Sequence, residues 1–219
     1  LAAVERVADH RAERRSGEPR QRHWVIRAQH VILATGAAER PIVFPGNDIP
    51  GVMLADALVE HALKYAVLPQ GPVTFFTNND SAYAAALDLS RLGVTVSAIV
   101  DVRRDISDFA KFLAGRAGAE LIAGQAIVGT EGVKALKSIS ICPFDAASGE
   151  ISGTARTIAC QTLGVSGGWS PAIQLASQAG GRPKWDARLQ AFLPPEPLPG
   201  FSFHAAGAAN GAGDLTQAF

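Results

Sequence analysis

The chain has 219 residues, 47% of them hydrophobic and 18% charged, enough apolar material for one sizeable core or two small ones. Lys plus Arg and Asp plus Glu each number 20, so no net field would gather nucleic acid or an anionic membrane surface. Apolar stretches such as Val94 to Val102 are interrupted by Ser97 or Asp101 and fall short of the roughly 20 residues of a spanning helix, so neither nucleic acid nor a membrane is an expected partner.

In chain order, Ala2 to Asp9 and His23 to Ala28 read as strands flanking a polar run with Gly17 and Pro19, the pattern of a hairpin. Arg14, Arg15, Arg20 and Arg22 on that run read as a solvated tip. The first residues carry no secretory signal and no initiator Met, and open within an apparent strand, so a piece of a longer cytoplasmic protein is expected. Next, the apolar run His30 to Leu33 ends in Ala34-Thr35-Gly36-Ala37, a buried strand delivered into a turn of small residues. Helical spacing at Leu54, Leu58, His61 and Leu63 stops before Pro69-Gln70-Gly71, which marks a domain boundary.

From there the pattern is strand (Val73 to Thr77), helix (Asp80 to Leu92), strand (Thr95 to Val100) and helix (Ser107 to Ala117), the succession of a doubly wound parallel sheet. Glu120 to Ala126, Val133 to Ile141 and Thr157 to Val165 read as further strands, and Gly200-Phe201-Ser202-Phe203-His204-Ala205 as a last one entering the turn Ala206-Gly207. The expected fold class is α/β, with one domain interrupted by another. The first, 1–68 with 160–219, is discontinuous; 69–159 is a Rossmann-like insertion. An interrupted domain requires Ala34-Thr35-Gly36 and Ala206-Gly207 to end adjacent strands.

Small residues after a strand let a dinucleotide phosphate or ribose approach the backbone, although a packing turn has the same composition. A glycine fingerprint would place Gly-x-Gly-x-x-Gly or Ala after the strand ending at Thr77, but that stretch reads Thr77-Asn78-Asn79-Asp80-Ser81-Ala82. Thr77 and Asn79 carry side chains where phosphate would lie, and Asp80 puts a negative charge at a helix N-terminus, which favours anions; as a helix N-cap it is unexceptional. Asp101, about 20 residues further on, suits either a ribose-binding acid or a strand-end turn. Trp169 after Gly167-Gly168 fits a channel wall or core packing. Cys142 and Cys160 are too far apart for a metal knuckle or redox pair, and the five histidines share no ligand spacing, so no metal site is expected. No nucleophile-base pair or carboxylate dyad emerges, so no catalytic residue is assigned.

The runs Val31 to Phe44, Asn47 to Leu54, Thr77 to Leu87 and Val165 to Pro171, followed by Gly207 to Gly211, resemble in order the alpha subunit of heterotetrameric sarcosine oxidase. That subunit lies within the glutathione-reductase-like, two-dinucleotide-binding-domain flavoproteins, which implies two Rossmann-like FAD/NAD(P)-binding domains here, the first discontinuous and truncated at its N-terminus. The resemblance implies amine or amino-acid oxidation, a hetero-oligomer with other oxidase subunits, NAD (or FAD) held by the first domain of the whole subunit, and flavin chemistry carried by a partner. It assigns cofactor contacts to Ala34, Thr35, Gly36, Gly207, Ala208 and Asn210, with Ala208 standing where flavoproteins of this superfamily have an Asp. Without the preceding glycine fingerprint, this piece alone is expected to hold no nucleotide tightly. A module for subunit assembly with a degenerate cofactor site is the alternative.

Overall fold

The computed structural model describes residues 1–197, 199–200 and 202–213. Phe201, part of the expected last strand, lies outside them. The chain divides into two compact units, residues 1–37 with 171–219 and residues 38–170, whereas the sequence patterns suggested boundaries near 68 and 160. Elements are numbered along the chain.

The first unit begins with β1 (Ala2–Arg6) and β2 (Gln21–Val25), an antiparallel hairpin in register from Ala2 opposite Val25 to Arg6 opposite Gln21. Strand β3 (Val31–Leu33) follows. After the second unit, the chain returns as helix α4 (Gln174–Gln178), the hairpin β15 (Lys184–Asp186) and β16 (Ala191–Leu193), β17 (Phe203–Ala205), and a 3-10 turn at Gly207–Asn210. Strand β17 pairs in parallel with β3, Phe203 opposite Val31 and Ala205 opposite Leu33. Leu33 and Phe203 bury their side chains with Ala176 of α4 in a small core.

The second unit starts within the strand β4 (Ala37–Glu39), which pairs with β14 (Trp169–Pro171), the strand within which it ends. Its centre is a five-stranded parallel sheet ordered β5 (Val52–Leu54), β13 (Thr162–Ser166), β6 (Val73–Thr77), β7 (Val96–Asp101), β8 (Glu120–Ala123). Val73, Phe75, Val96 and Ile99 pack with helices α1 (Ala55–Tyr65), α2 (Ser81–Arg91) and α3 (Asp108–Ala117); alternation accounts for Val73 and Phe75, and a register shift in the β6–β7 pairing brings Val96 and Ile99 into one core. Phe76, Val100, Leu163 and Val165 face the opposite way. There they meet Ile127, Ile139, Ile141 and Ile158 of the antiparallel strands β9 (Gln125–Glu131), β10 (Ser138–Asp145) and β12 (Arg156–Ala159). The short β11 (Glu150–Ile151) extends β10. Phe75 and Phe76 are almost wholly buried, each contributing about 1.5–3 kcal/mol of apolar transfer.

A doubly wound sheet would carry helices on both faces; here strands cover the second face instead. Three strand expectations also need correction. Glu120 to Ala126 breaks at Gly124 (φ +68°), so that β8 and β9 join different sheets. Val133 to Ile141 is not continuous: Gly132 turns at φ +139°, where a Cβ would lie 2.0 Å from the Ala135 carbonyl oxygen, and β10 begins only at Ser138. Thr157 to Val165 breaks between Ala159 and Thr162, so that β12 and β13 join different sheets.

Candidate functional site

In the first unit, the parallel pairing of β3 with β17 sets the two turns of small residues side by side. The Ala206 N–H donates to the Leu33 carbonyl at 2.9 Å, so Ala34-Thr35-Gly36 and Ala206-Gly207 leave neighbouring strand ends. The Thr35 hydroxyl donates to the Ala172 carbonyl at 2.7 Å, and the Ala172 N–H to the Gly36 carbonyl at 2.9 Å. The first turn is therefore fixed by backbone partners. Gly36 (φ +73°) and Gly207 (φ +62°) occupy the left-handed region, and a Cβ at either would meet no atom within 4 Å. Backbone is thus open to approach at both turns.

Of the six residues assigned, Gly207 and Asn210 line a cleft of about 380 Å³, together with Arg188, Ala205, Ala206, Gly211 and Ala212. Ala34, Thr35 and Ala208 are exposed and Gly36 partly so, none of them on that lining. The sequence reading does not single out Arg188. It sits on the tip between β15 and β16, where the Asp186 carboxylate accepts the Leu189 N–H at 2.9 Å and Trp185 and Phe192 meet edge to face at 5.1 Å. Gly211 seats this hairpin against the 3-10 turn, because a Cβ there would lie 2.7 Å from both Leu189 Cδ1 and Leu193 Cδ2. An Asp and an Arg separated by one residue, between two aromatics, is the only sequence signal of this arrangement.

In the second unit, the loop from β6 to α2 turns its hydrogen-bonding capacity inward. Asn79 Nδ2 donates to the carbonyl and hydroxyl oxygens of Ser166, each at 3.1 Å. Asn79 Oδ1 accepts from the N–H and hydroxyl of Ser81 at 3.0 and 2.6 Å. The Trp169 indole N–H donates to Ser81 Oγ at 2.9 Å, so Trp169 buttresses this loop. Asp80 precedes α2 but makes no side-chain cap bond; Asn79 takes the Ser81 N–H instead. The Asp80 carboxylate accepts from the Ser107 hydroxyl at 2.6 Å and pairs with Arg103 Nη2 at 2.8 Å. Burial pushes its pKa up, but Ser107 and Arg103 outweigh that and hold it below the ordinary carboxylate range.

Asp101, at the end of β7, is fully buried. It accepts from the Tyr83 hydroxyl at 2.9 Å, from the Arg103 N–H at 2.8 Å, and from Arg103 Nε and Nη2 at 3.1 and 2.8 Å. Burial and the adjacent carboxylate raise the Tyr83 hydroxyl well above the usual phenol range. Both Asp101 oxygens are thus engaged within the protein. Nearby, burial raises the Glu39 carboxyl against the opposing hydrogen bonds from Ser166 and the Asp56 N–H, the latter 2.9 Å away. Cys142 and Cys160 are free and buried, and burial raises the Cys160 thiol. Among the described residues there is no group of three or more potential metal ligands, and no helix long and apolar enough to cross a membrane.

A parallel pair of strands, β3 and β17, ending in glycine turns in one unit and a five-stranded parallel sheet in the other make an α/β fold that matches FAD/NAD(P)-binding oxidoreductases. The thioredoxin reductase of T. acidophilum matches 86% of this chain and 59% of its own with a TM-score of 0.58 at 16% identity. In sequence, the chain is homologous to the alpha subunits of sarcosine oxidase. It is 41% identical to sarcosine oxidase subunit alpha of Rhizobium meliloti over 95% of this chain and 20% of that protein. It is 36% identical to the Corynebacterium sp. (strain P-1) subunit over 93% of this chain and 21% of that protein. The chain therefore spans about a fifth of the length of the curated relatives it matches. No family model matches it.

Proposed function

We propose that this chain is the nucleotide-holding portion of the alpha subunit of a flavin-dependent amine or amino-acid oxidoreductase of the sarcosine oxidase type. In this reading, residues 1–37 and 171–219 are part of a discontinuous first dinucleotide-binding domain, and the sheet unit is inserted in it. The observation that carries the reading is the parallel pairing of β3 with β17 across the intervening unit, which places Ala34-Thr35-Gly36 beside Ala206-Gly207. An adenine dinucleotide fits there because both turns present backbone without a Cβ in the way and the Gly207 turn borders an open cleft. Gly36, Gly207 and Asn210 would hold NAD or FAD. The flavin, when bound, supplies hydride acceptance; here that chemistry belongs to a companion subunit, and the residues of this chain bind and orient the nucleotide.

The test is the nucleotide carried by the full-length subunit. Denaturing the purified complex and analysing what it releases should give NAD or FAD at about one equivalent per alpha subunit, beyond the flavin of the partner. This chain alone should be colourless and show no amine-dependent dye reduction. A yellow chain that turns over sarcosine or proline unaided would refute the reading.

The second unit favours another role. Asn79 and Arg103 spend the polar groups of the β6–α2 loop and of Asp101 on one another. This supports the unit as a folding and assembly module whose ancestral type of nucleotide site is closed.

A further inference from the structure

We infer that Arg188 binds the diphosphate of the adenine nucleotide held in the first unit, an inference that rests on the nucleotide-holding role proposed above and names the group that recognises its charge. Among the described residues, Arg188 is the one charged residue lining the cleft beside Gly207, and no carboxylate shares that lining. Among the described residues its guanidinium makes no ion pair, whereas Lys184 on the same hairpin is paired with Glu196. An exposed arginine needs no partner, but this one is delivered to a concave surface by a built support. Asp186 closes the tip through the Leu189 N–H, the Trp185–Phe192 contact fixes the strands, and the missing Cβ of Gly211 lets Leu189 and Leu193 pack against the 3-10 turn.

The chemistry of the lining specifies the ligand. Ala205, Ala206, Gly207, Gly211 and Ala212 admit close approach, Asn210 supplies a neutral amide, and Arg188 supplies a planar fork of donors suited to phosphate oxygens. With Ala at position 208 the turn Gly207–Asn210 offers no acid to accept from ribityl or ribose hydroxyls, and among the described lining residues the only fixed charge is positive. The cleft therefore selects the anionic part of a nucleotide rather than its sugar. NAD, FAD and ADP share that diphosphate, so the inference concerns the group and the test separates its sources.

The test uses the full-length protein, stripped of nucleotide, with Arg188→Ala, Arg188→Lys and the parent titrated calorimetrically against NAD, FAD, ADP and adenosine. Arg188→Ala should weaken the diphosphate ligand that the parent binds by about 10- to 100-fold, the range for losing a charge-assisted hydrogen bond. It should also reduce the salt dependence of binding and leave adenosine unaffected. Arg188→Lys should recover part of the affinity, because the charge remains while the fork is lost. If FAD rather than NAD shows the dependence, the inference holds with a flavin as the source. If the parent binds a dinucleotide and both variants bind it equally well, Arg188 has no such role and the nucleotide-holding reading stands. If the parent binds none of the diphosphates, both fail together. Should Arg188→Ala not fold, Arg188→Lys still decides: unchanged affinity and unchanged salt dependence would overturn the inference.

Discussion

Arg103→Met probes the closed site of the second unit most directly, because it removes a guanidinium while keeping an unbranched apolar stem. Asp101 would lose the donors from Nε and Nη2 at 3.1 and 2.8 Å but keep the Tyr83 hydroxyl and the backbone N–H of residue 103. Stripping one partner from a buried pair typically costs about 3–5 kcal/mol, since the remaining carboxylate stays buried without a counter-charge. Two features lower that value. The Arg103 side chain is 31% exposed, so water screens part of the pair, and Asp101 retains two neutral donors. A loss of about 2–4 kcal/mol is expected, read from the urea midpoint at constant slope by near-ultraviolet circular dichroism. The double variant Asp101→Asn/Arg103→Met should be at least about 1 kcal/mol more stable than Arg103→Met, because a neutral amide removes the buried charge while its oxygen accepts the residue 103 N–H and its Nδ2 donates to the Tyr83 hydroxyl. The reasoning fails if Arg103→Met stays within about 0.5 kcal/mol of the parent, the scatter of ordinary surface changes, or if the second substitution brings no recovery.

Three further outcomes are expected. Gly164→Ala puts a methyl 2.8 Å from the ring of Phe75 and 3.0 Å from Leu58 Cδ1, both buried, and should cost about 1–3 kcal/mol by overpacking; an unchanged thermal midpoint would show that β13 yields freely. Glu39 has a raised folded pKa, so its contribution favours folding at acidic pH and is lost as pH rises from the unfolded value through the folded one. Glu39→Gln, which keeps an acceptor for the Asp56 N–H, should accordingly raise the thermal midpoint at neutral pH and change it little below the unfolded pKa; a drop at neutral pH would count against this. Thr77→Gly/Asn79→Gly/Asp80→Asn opens the β6–α2 loop and removes its negative charge, so calorimetry should show stronger NAD or NADP binding than in the parent. Tight binding by the unmodified loop would refute the account of its closure.

The second unit is legible in sequence where local chemistry and burial agree. Ser107 announces α3 as an N-cap and accepts the Ala110 N–H at 3.1 Å, while Gly118 ends it at φ +73°. Helix α2 runs Ser81–Arg91 against an expected Asp80 to Leu92. Strand β5 is not legible, because three apolar residues running straight into α1 blend with its periodicity and only pairing with β13 reveals them. Asp101 has two readings in sequence, and burial with a neighbouring Arg103 decides between them. At the candidate site the glycine turns are visible as strings of small residues. Arg188 is not, since its place depends on Leu189 and Leu193 packing against Gly211, contacts that no periodicity encodes.

The pairing of β3 with β17 has a kinetic consequence. Bringing Leu33 to Ala205 in an unfolded chain closes a loop of roughly 170 residues, an entropy cost of about 4.5 kcal/mol in the ideal-chain limit. Residues 38–170 form a continuous segment with its own two cores, and its folding joins its own ends: the Arg40 N–H donates to the Gly168 carbonyl at 2.8 Å and the Gly167 N–H to the Arg40 carbonyl at 2.6 Å. Once that segment is folded, the long closure has been reduced to a short one, and β3 meets β17 as near neighbours. Substitutions that slow the folding of residues 38–170 should therefore delay protection of the Ala206 amide in pulsed hydrogen exchange, and unchanged protection kinetics would refute this order of events.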